Sequence, residues 1–403
     1  MASAKSFNNS SNMKILHTSD WHLGHQLYGR DRQEEQQSML DQMVALAQER
    51  QPDVFLISGD VYHTSQPSAT VQTMFASAIA AMRRACPEMT IVVLAGNHDS
   101  GMRMEIFHEP WKMLNVHSVG FVEKDDSRQG KHIIEIPGVG FVVAVPYTYE
   151  RNMPDDLFQR LLDAVAQLNH DGLPVVVAAH TTVAGCDYRG HDNSCELTVG
   201  GIDALDADVF GSGYDYVALG HIHHAQFLHG TEHRMRYSGS PIAVSFDEAY
   251  DHTVTIVSID RHGDVPLTET IEIDNPWPLV TLPTSGSAPD WESALASLRE
   301  YPADLAACLR LNVTIDGFLP AGAMEEAQQI VSDKKCQLLH INARRAERKT
   351  TEAAALSFQE LQQIKPLDLL KRFASDTGTL FDDEMEALFV EALDEVNENQ
   401  REQ

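Results

Sequence analysis

The feature that most constrains this chain is a pattern met five times in order: a short aliphatic or β-branched run that closes on a carboxylate, a carboxamide or an imidazole. Lys14 to Leu16 leads into His17-Thr18-Ser19-Asp20-Trp21-His22-Leu23-Gly24, Val54-Phe55-Leu56-Ile57 into Gly59-Asp60, and Ile91-Val92-Val93-Leu94 into Gly96-Asn97-His98-Asp99. Val175 to Ala179 ends on His180, and Tyr216-Val217-Ala218-Leu219 ends on Gly220-His221-Ile222-His223. Such runs read as buried strands, which puts the reactive residues at strand carboxyl ends, where open α/β sheets place their ligands. Two residues apart on an extended backbone, Asp20 and His22 point the same way and can hold one cation between them. A single Asp-x-His also fits an ordinary polar turn. Five closures of this kind in one chain do not.

The stretches between the runs fix the architecture. Arg32 to Gln48 and Ser68 to Arg84 carry helical patterns, the second with Pro67 and Ser68 as a start signal. Alternating strand and helix implies parallel pairing with right-handed crossovers, so Asp20, Asp60 and Asn97 meet along one sheet edge. From Val116 the strands shorten. Residues 132–136 and 139–145 flank Pro137-Gly138 as a hairpin, 153–170 is helical, and Gly185 to Gly201 is a polar loop near the site. Strands at 236–238, 253–259 and 267–273 follow, the last two joined by Arg261-His262-Gly263-Asp264. The expected fold is an α/β sandwich of two mixed sheets with helices outside, spanning residues 13–275.

Residues 1–12, rich in Ser and Asn, are set aside as a disordered leader. Pro276-Trp277-Pro278 and the segment 283–289 mark a boundary, beyond which helices at 291–300 and 323–332 and strands at 309–315 and 338–341 make a small α+β domain, 276–349. It ends in the densest basic cluster of the chain, Arg344, Arg345, Arg348 and Lys349, which reads as a solvated surface or as a phosphate contact. The tail, 350–403, holds two helical stretches broken near Pro366 and Gly378. Met385, Leu388, Phe389, Ala392, Leu393 and Val396 line an apolar stripe on the second.

The net charge of −29 is at odds with a chain that grips polyanions unaided, because neutralising phosphates supplies most non-specific affinity for nucleic acid. Either the substrate is not nucleic acid, or bound cations, local basic patches and a partner meet it. Five cysteines with no Cys-x-x-Cys pair fit a reducing, cytoplasmic setting and exclude a disulfide framework. No stretch has the apolar length of a membrane span.

The chemistry follows from the donor types. Two divalent cations about 3.5–4 Å apart need one shared anionic ligand with neutral ligands around them. Asp60 is the natural bridge. Asp20, His22 and one later imidazole complete one cation, and Asn97, His180 and another imidazole the second. Oxygen and nitrogen donors without thiolate favour manganese, iron or zinc over magnesium. A water on such a pair becomes hydroxide near neutral pH, and the cations take phosphate oxygens. His98 protonates the leaving oxygen or binds its charge. Asp99 either orients the His98 ring or closes a turn.

Asp20-x-His22, Gly59-Asp60, Gly96-Asn97-His98-Asp99, His180 and Gly220-His221-x-His223 resemble the five motifs of the calcineurin-like metallophosphoesterases. The fuller strings Ile15 to Gly24, Leu94 to Ser100 and Tyr237-Ser238-Gly239-Ser240-Pro241 resemble the SbcD family, the bacterial nuclease subunits of Mre-type repair complexes. The resemblance runs from Met13 to Phe246 and continues by domain order alone. It implies a manganese-dependent DNA nuclease with 3′-to-5′ exonuclease and endonuclease activity on ends and hairpins. The implied assembly is a homodimer within a heterotetramer with SbcC, an ATPase carrying a long coiled coil. By motif position, Asp20, His22, Asp60 and His223 would hold one metal and Asp60, Asn97, His180 and His221 the other. His98 would be the catalytic imidazole, and His63 matches a position near the cleaved phosphate. Residues 276–349 would face DNA as a cap, and 350–403 would dock on the ATPase. The alternatives are an enzyme of the same fold acting on small phosphodiesters or phosphoproteins, and a non-catalytic scaffold.

Overall fold

The computed structural model describes residues 12–106, 108–189 and 204–345, together with residues 367, 370–371, 385–389 and 393 of the tail. The leader, most of the loop 185–201, Arg348 and Lys349, and most of the tail fall outside the described residues. Within the tail, residues 385–389 are helical.

The first half of the chain runs β1 (Met13–Thr18), a hairpin of β2 (Gln26–Leu27) and β3 (Arg30–Asp31), α1 (Gln33–Arg50), β4 (Val54–Ile57), α2 (Ala69–Ala85), β5 (Thr90–Leu94), α3 (Gly101–Ile106), α4 (His108–Lys112) and β6 (Val116–Val119). Then come β7 (Ile133–Ile136), β8 (Gly140–Val145), α5 (Leu157–Leu168), β9 (Val175–His180), β10 (Tyr216–Gly220), β11 (Gln226–Phe227), β12 (Met235–Tyr237), β13 (Thr253–Ile259) and β14 (Leu267–Glu272). These build two six-stranded mixed sheets, ordered β14-β13-β1-β4-β5-β6 and β11-β12-β10-β9-β8-β7. In the first, β1, β4, β5 and β6 are parallel while β13 and β14 return antiparallel. In the second, β8, β9, β10 and β12 are parallel.

The sheets stack face to face. Met13, Ile15, Val54, Leu56, Val92 and Leu94 of the first meet Val142, Ala144, Val176, Ala178 and Ala218 of the second. Alternate residues turn outward under helices: Leu16, Phe55, Ile57 and Val93 under α1 and α2, and Val143, Val177 and Val217 under α5. Burial on both faces is why these strands are written as unbroken apolar runs. Ser68 caps α2, its side chain accepting from Val71 N at 3.3 Å, as the start signal implied.

The small sheet holds β15 (Leu279–Leu282), β16 (Cys308–Ile315) and β17 (Gln337–Arg345), all parallel, with α6 (Trp291–Glu300) and α7 (Ala323–Val331) packed on one face. Strand β15 lies where the sequence pattern showed only a linker. Pro278 and Pro283 bracket its four residues, and proline is tolerated because β15 is an edge strand. The β2–β3 hairpin was also illegible, since two-residue strands carry no period.

Among the described residues, that hairpin is one of two grips between the small sheet and the sandwich. Tyr28 stacks on His340, ring centroids 4.4 Å apart, while Arg30 Nε donates to Gln337 Oε1 at 2.9 Å and its guanidinium lies 4.6 Å over the Trp277 ring. Trp277 Nε1 donates to Glu34 Oε2. At the other grip Arg310 of β16 reaches Phe246 and Asp247. Buried Cys308 packs with Leu27 and Phe246 between them.

Candidate metal centre

The β1 and β4 ladders continue past their strand ends and carry the site with them. Asp20 N donates to Gly59 O, His22 N to Asp60 O and Leu23 N to Val61 O, each within 3.0 Å, so the first two motifs lie side by side. The backbone there is not extended, contrary to the reading of Asp20 and His22 as strand-like. Asp20, His22 and Asp60 have φ of 56°, 44° and 50°, and His221 has 100°. Left-handed backbone at non-glycine residues costs on the order of 1–3 kcal/mol apiece and concentrates at functional sites. Gly96 approaches Asp60 so closely that any Cβ would collide with its carboxylate.

Nine side chains converge: Asp20, His22, Asp60, His63, Asn97, His98, His180, His221 and His223. Asp20, His22 and His223 offer one ligand atom each within 4.8 Å of one another, and Asp60, His180 and His221 do the same. Asn97 Oδ1 joins the second group, 2.9 Å from His180 Nε2 and 3.0 Å from His221 Nδ1. Asp60 stands between the groups. Its Oδ1 accepts from His98 N at 2.9 Å, which leaves Oδ2 facing His180 Nε2 at 3.4 Å and His22 Nε2 at 3.8 Å.

The arrangement fits a pair of divalent cations. Asp20 and Asp60 are buried carboxylates, and burying a charge is costly unless something compensates it. His22 Nε2 and His223 Nε2 face each other at 3.1 Å. His180 Nδ1 donates to Ser58 O at 2.7 Å and His223 Nδ1 to Glu248 Oε1 at 2.9 Å. Each of these two rings therefore turns its Nε2 inward, the nitrogen left to bind a cation once its proton is lost.

The protonation equilibria reflect this crowding. Burial works to lower the His180 imidazole, but the Asp60 carboxylate outweighs it and raises it to about 9. His223 is likewise raised to about 9 against its burial, by Glu248. Burial holds His22 well below its usual value. For Asp60, burial is outweighed by His180 and His22, which keep the carboxyl far below the usual range. Burial raises Asp20, whose carboxylate accepts from Ser19 Oγ at 2.5 Å and from His221 N at 3.1 Å. Ser19 is set in turn by Ser238 Oγ at 2.8 Å, a residue of the Tyr237 to Pro241 string.

His98 and His63 are half-buried beside the first group, with His22, His63 and His98 forming a third cluster. His98 Nδ1 donates to His63 O at 2.9 Å, so the ring is oriented by that carbonyl. Of the two parts open to Asp99, the structure shows the turn. Its carboxylate accepts from Gly96 N at 2.9 Å, Tyr62 N at 2.9 Å and Val61 N at 3.1 Å, closing the loop under the site. Burial and the nearby Asp60 raise its carboxyl to about 6. Glu248 is a site residue that sequence reasoning missed: it lies beyond the five motifs, and nothing in its spacing marks it.

The sequence matches the calcineurin-like phosphoesterase family over residues 13–225 and the SbcD_C family, described as the type 5 capsule protein repressor C-terminal domain, over residues 276–377. It is 32% identical over 303 residues to the SbcD subunit of the SbcCD nuclease from Rhodobacter capsulatus, covering 69% of this chain and 73% of that one. This chain belongs to the calcineurin-like phosphoesterases, in the branch of the SbcD subunits. The SbcD of Escherichia coli K12 is 29% identical over 76% of this chain and 79% of its own, and that of Bacillus subtilis 30% identical over 66% and 71%. Calcineurin-like phosphoesterases are divalent-metal enzymes, in agreement with the donor set of the two groups. No helix among the described residues is long and apolar enough to cross a membrane.

Proposed function

We propose that this chain is the nuclease subunit of an SbcCD-type complex, a manganese-dependent DNA nuclease with 3′-to-5′ exonuclease activity and endonuclease activity on ends and hairpins. The observation that carries the reading is Asp60 Oδ2 lying between two groups of nitrogen and oxygen donors, in a chain whose relatives are named as SbcCD nuclease subunits. Asp20, His22, His223 and shared Asp60 would hold one cation, and Asp60, Asn97, His180 and His221 the other. Such a pair supplies an activated water and charge to hold the scissile phosphate.

The chain's own groups do the rest. Asp60 and Asp20 would draw cations into the pocket, and cations held there would meet the phosphate, which lets a chain of net charge −29 act on DNA. As water attacks phosphorus and the bond to the leaving oxygen breaks, that oxygen needs a proton. His98, its Nδ1–H committed to the His63 carbonyl, would deliver it from Nε2 as the doubly protonated ring and be left as the neutral Nδ1–H tautomer. His63, stacked at 5.5 Å on His98, flanks the same phosphate. Asp99 acts on the loop and not on the proton.

The assembly is a homodimer bound to an SbcC-type coiled-coil ATPase in the cytoplasm, with residues 276–349 facing DNA and 350–403 docking on the ATPase. Met102 and Ile106 of α3 and Met113 and Leu114 after α4 are exposed apolar side chains on one short stretch, suited to a second copy. Cleavage of a labelled hairpin and a labelled 3′ end with Mn2+, with and without the ATPase, tests the reading. Hydrolysis of a small chromogenic diester with DNA left intact would overturn it.

A further inference from the structure

Glu248 lies outside every motif, yet it is buried and its contacts converge on one task. Oε1 accepts from His223 Nδ1 at 2.9 Å and Ser245 N at 3.2 Å, and Oε2 from Val244 N at 3.1 Å and Ser240 Oγ at 3.3 Å. A carboxylate only accepts, so the His223 proton is fixed on Nδ1 and the ring cannot turn away from the site.

The segment that carries Glu248 is gripped from the other side. Arg310 Nη1 donates to Asp247 Oδ1 at 2.6 Å and Nη2 to Phe246 O at 3.1 Å, and the guanidinium lies 5.2 Å over the Phe246 ring. Arg310 belongs to β16 and is braced within the small sheet by Thr281 Oγ1 at 3.1 Å. Three consecutive residues, Phe246, Asp247 and Glu248, thus join the small sheet to a candidate ligand. The other group has a different support: His180 is oriented by the Ser58 backbone carbonyl at the end of β4, inside the sandwich.

We infer that Glu248 is the positioning residue of His223, and that Arg310 clamps the Phe246–Glu248 segment so that the seating of the small sheet sets the cation affinity of the Asp20–His22–His223 group. The inference rests on the metal-pair reading above. An anionic partner behind a histidine both orients the ring and raises its basicity, and losing it costs about 10–100-fold in metal affinity. A loosened segment leaves the carboxylate present but ill-placed, a smaller loss of the same kind.

The test is a calorimetric titration of Mn2+ into the full chain after chelation, for wild type, Glu248→Gln and Arg310→Ala. Glu248→Gln is expected to weaken one of two binding steps by about 10–100-fold and to leave the other unchanged. Arg310→Ala, which touches no candidate ligand, is expected to weaken the same step by a smaller factor while thermal melting in chelator shows the chain still folded. Two unchanged steps in Glu248→Gln overturn the positioning role, and two unchanged steps in Arg310→Ala overturn the clamp. If Glu248→Gln does not fold, Arg310→Ala alone decides. A wild-type chain that takes up no Mn2+ overturns the metal reading itself, a result distinct from either.

Discussion

The two stacked sheets bring different chemistry to one site. The first supplies both candidate-ligand carboxylates, the carboxamide and the histidines His22, His63 and His98, on loops that hold three left-handed residues, Asp20, His22 and Asp60. The second supplies imidazoles, His180 at the end of β9 and His221 and His223 past β10, with one left-handed residue among them. Neither group of donors is complete within one layer: Asp20 and His22 need His223, and Asp60 and Asn97 need His180 and His221. Cations held there would act as cross-links between layers whose facing surfaces are otherwise largely apolar.

The sharpest way to break that comparison is Asp60→Asn, since one residue of the first sheet serves both groups. Cleavage should fall by more than the ~10–100-fold cost of losing a partner that only supports a ligand, and calorimetry should show both Mn2+ steps weakened. Loss of only one step would mean that Asp60 is not shared. His98→Asn should lower the cleavage rate by about 10²–10⁴-fold with both binding steps intact, as befits a group that handles a proton and no cation. Full activity in that variant would remove His98 from the mechanism.

Chelation probes the cross-link directly. At a cation concentration of about 100 times the dissociation constant, binding stabilises the folded state by about 2.7 kcal/mol, so the melting temperature should drop measurably on adding EDTA. Hydrogen exchange should quicken at the strand tips of both sheets. An unchanged melting curve would show that the layers need no such link.

The smallest expected effect sharpens the contrast through pH. His180 and His223, both of the second sheet, stand at about 9 in the cation-free site and so hold protons at neutral pH. A cation needs the neutral ring, so Mn2+ affinity should rise as pH climbs from neutral towards about 9, with protons released on binding. Titrations in buffers of different ionisation enthalpy measure that release. A pH-independent affinity would deny these two rings a place among the ligands.

Much of this was legible because of what the strands must bury. Runs such as Ile91 to Leu94 are apolar on both faces, so their polar closures stand out, and the same logic found α6, β16, α7 and β17. What stayed hidden has no period to show. The left-handed backbone at Asp20 and His22 is a property of torsion angles, and at neither position does a glycine announce it. Strand β15 is four residues between prolines. Asp99 reads the same whether it faces a ring or three backbone amides, and Glu248 reaches His223 only because a chain reversal after β12 brings it there.

Trp277 sits at the seam between the small sheet and the sandwich, under the Arg30 guanidinium and bonded to Glu34. The other tryptophans, Trp21, Trp111 and Trp291, pack against the core of one body or the other. The joint thus carries its own optical gauge: a chain keeping only this indole would let emission spectra follow, in real time, any shift of the small sheet on the sandwich.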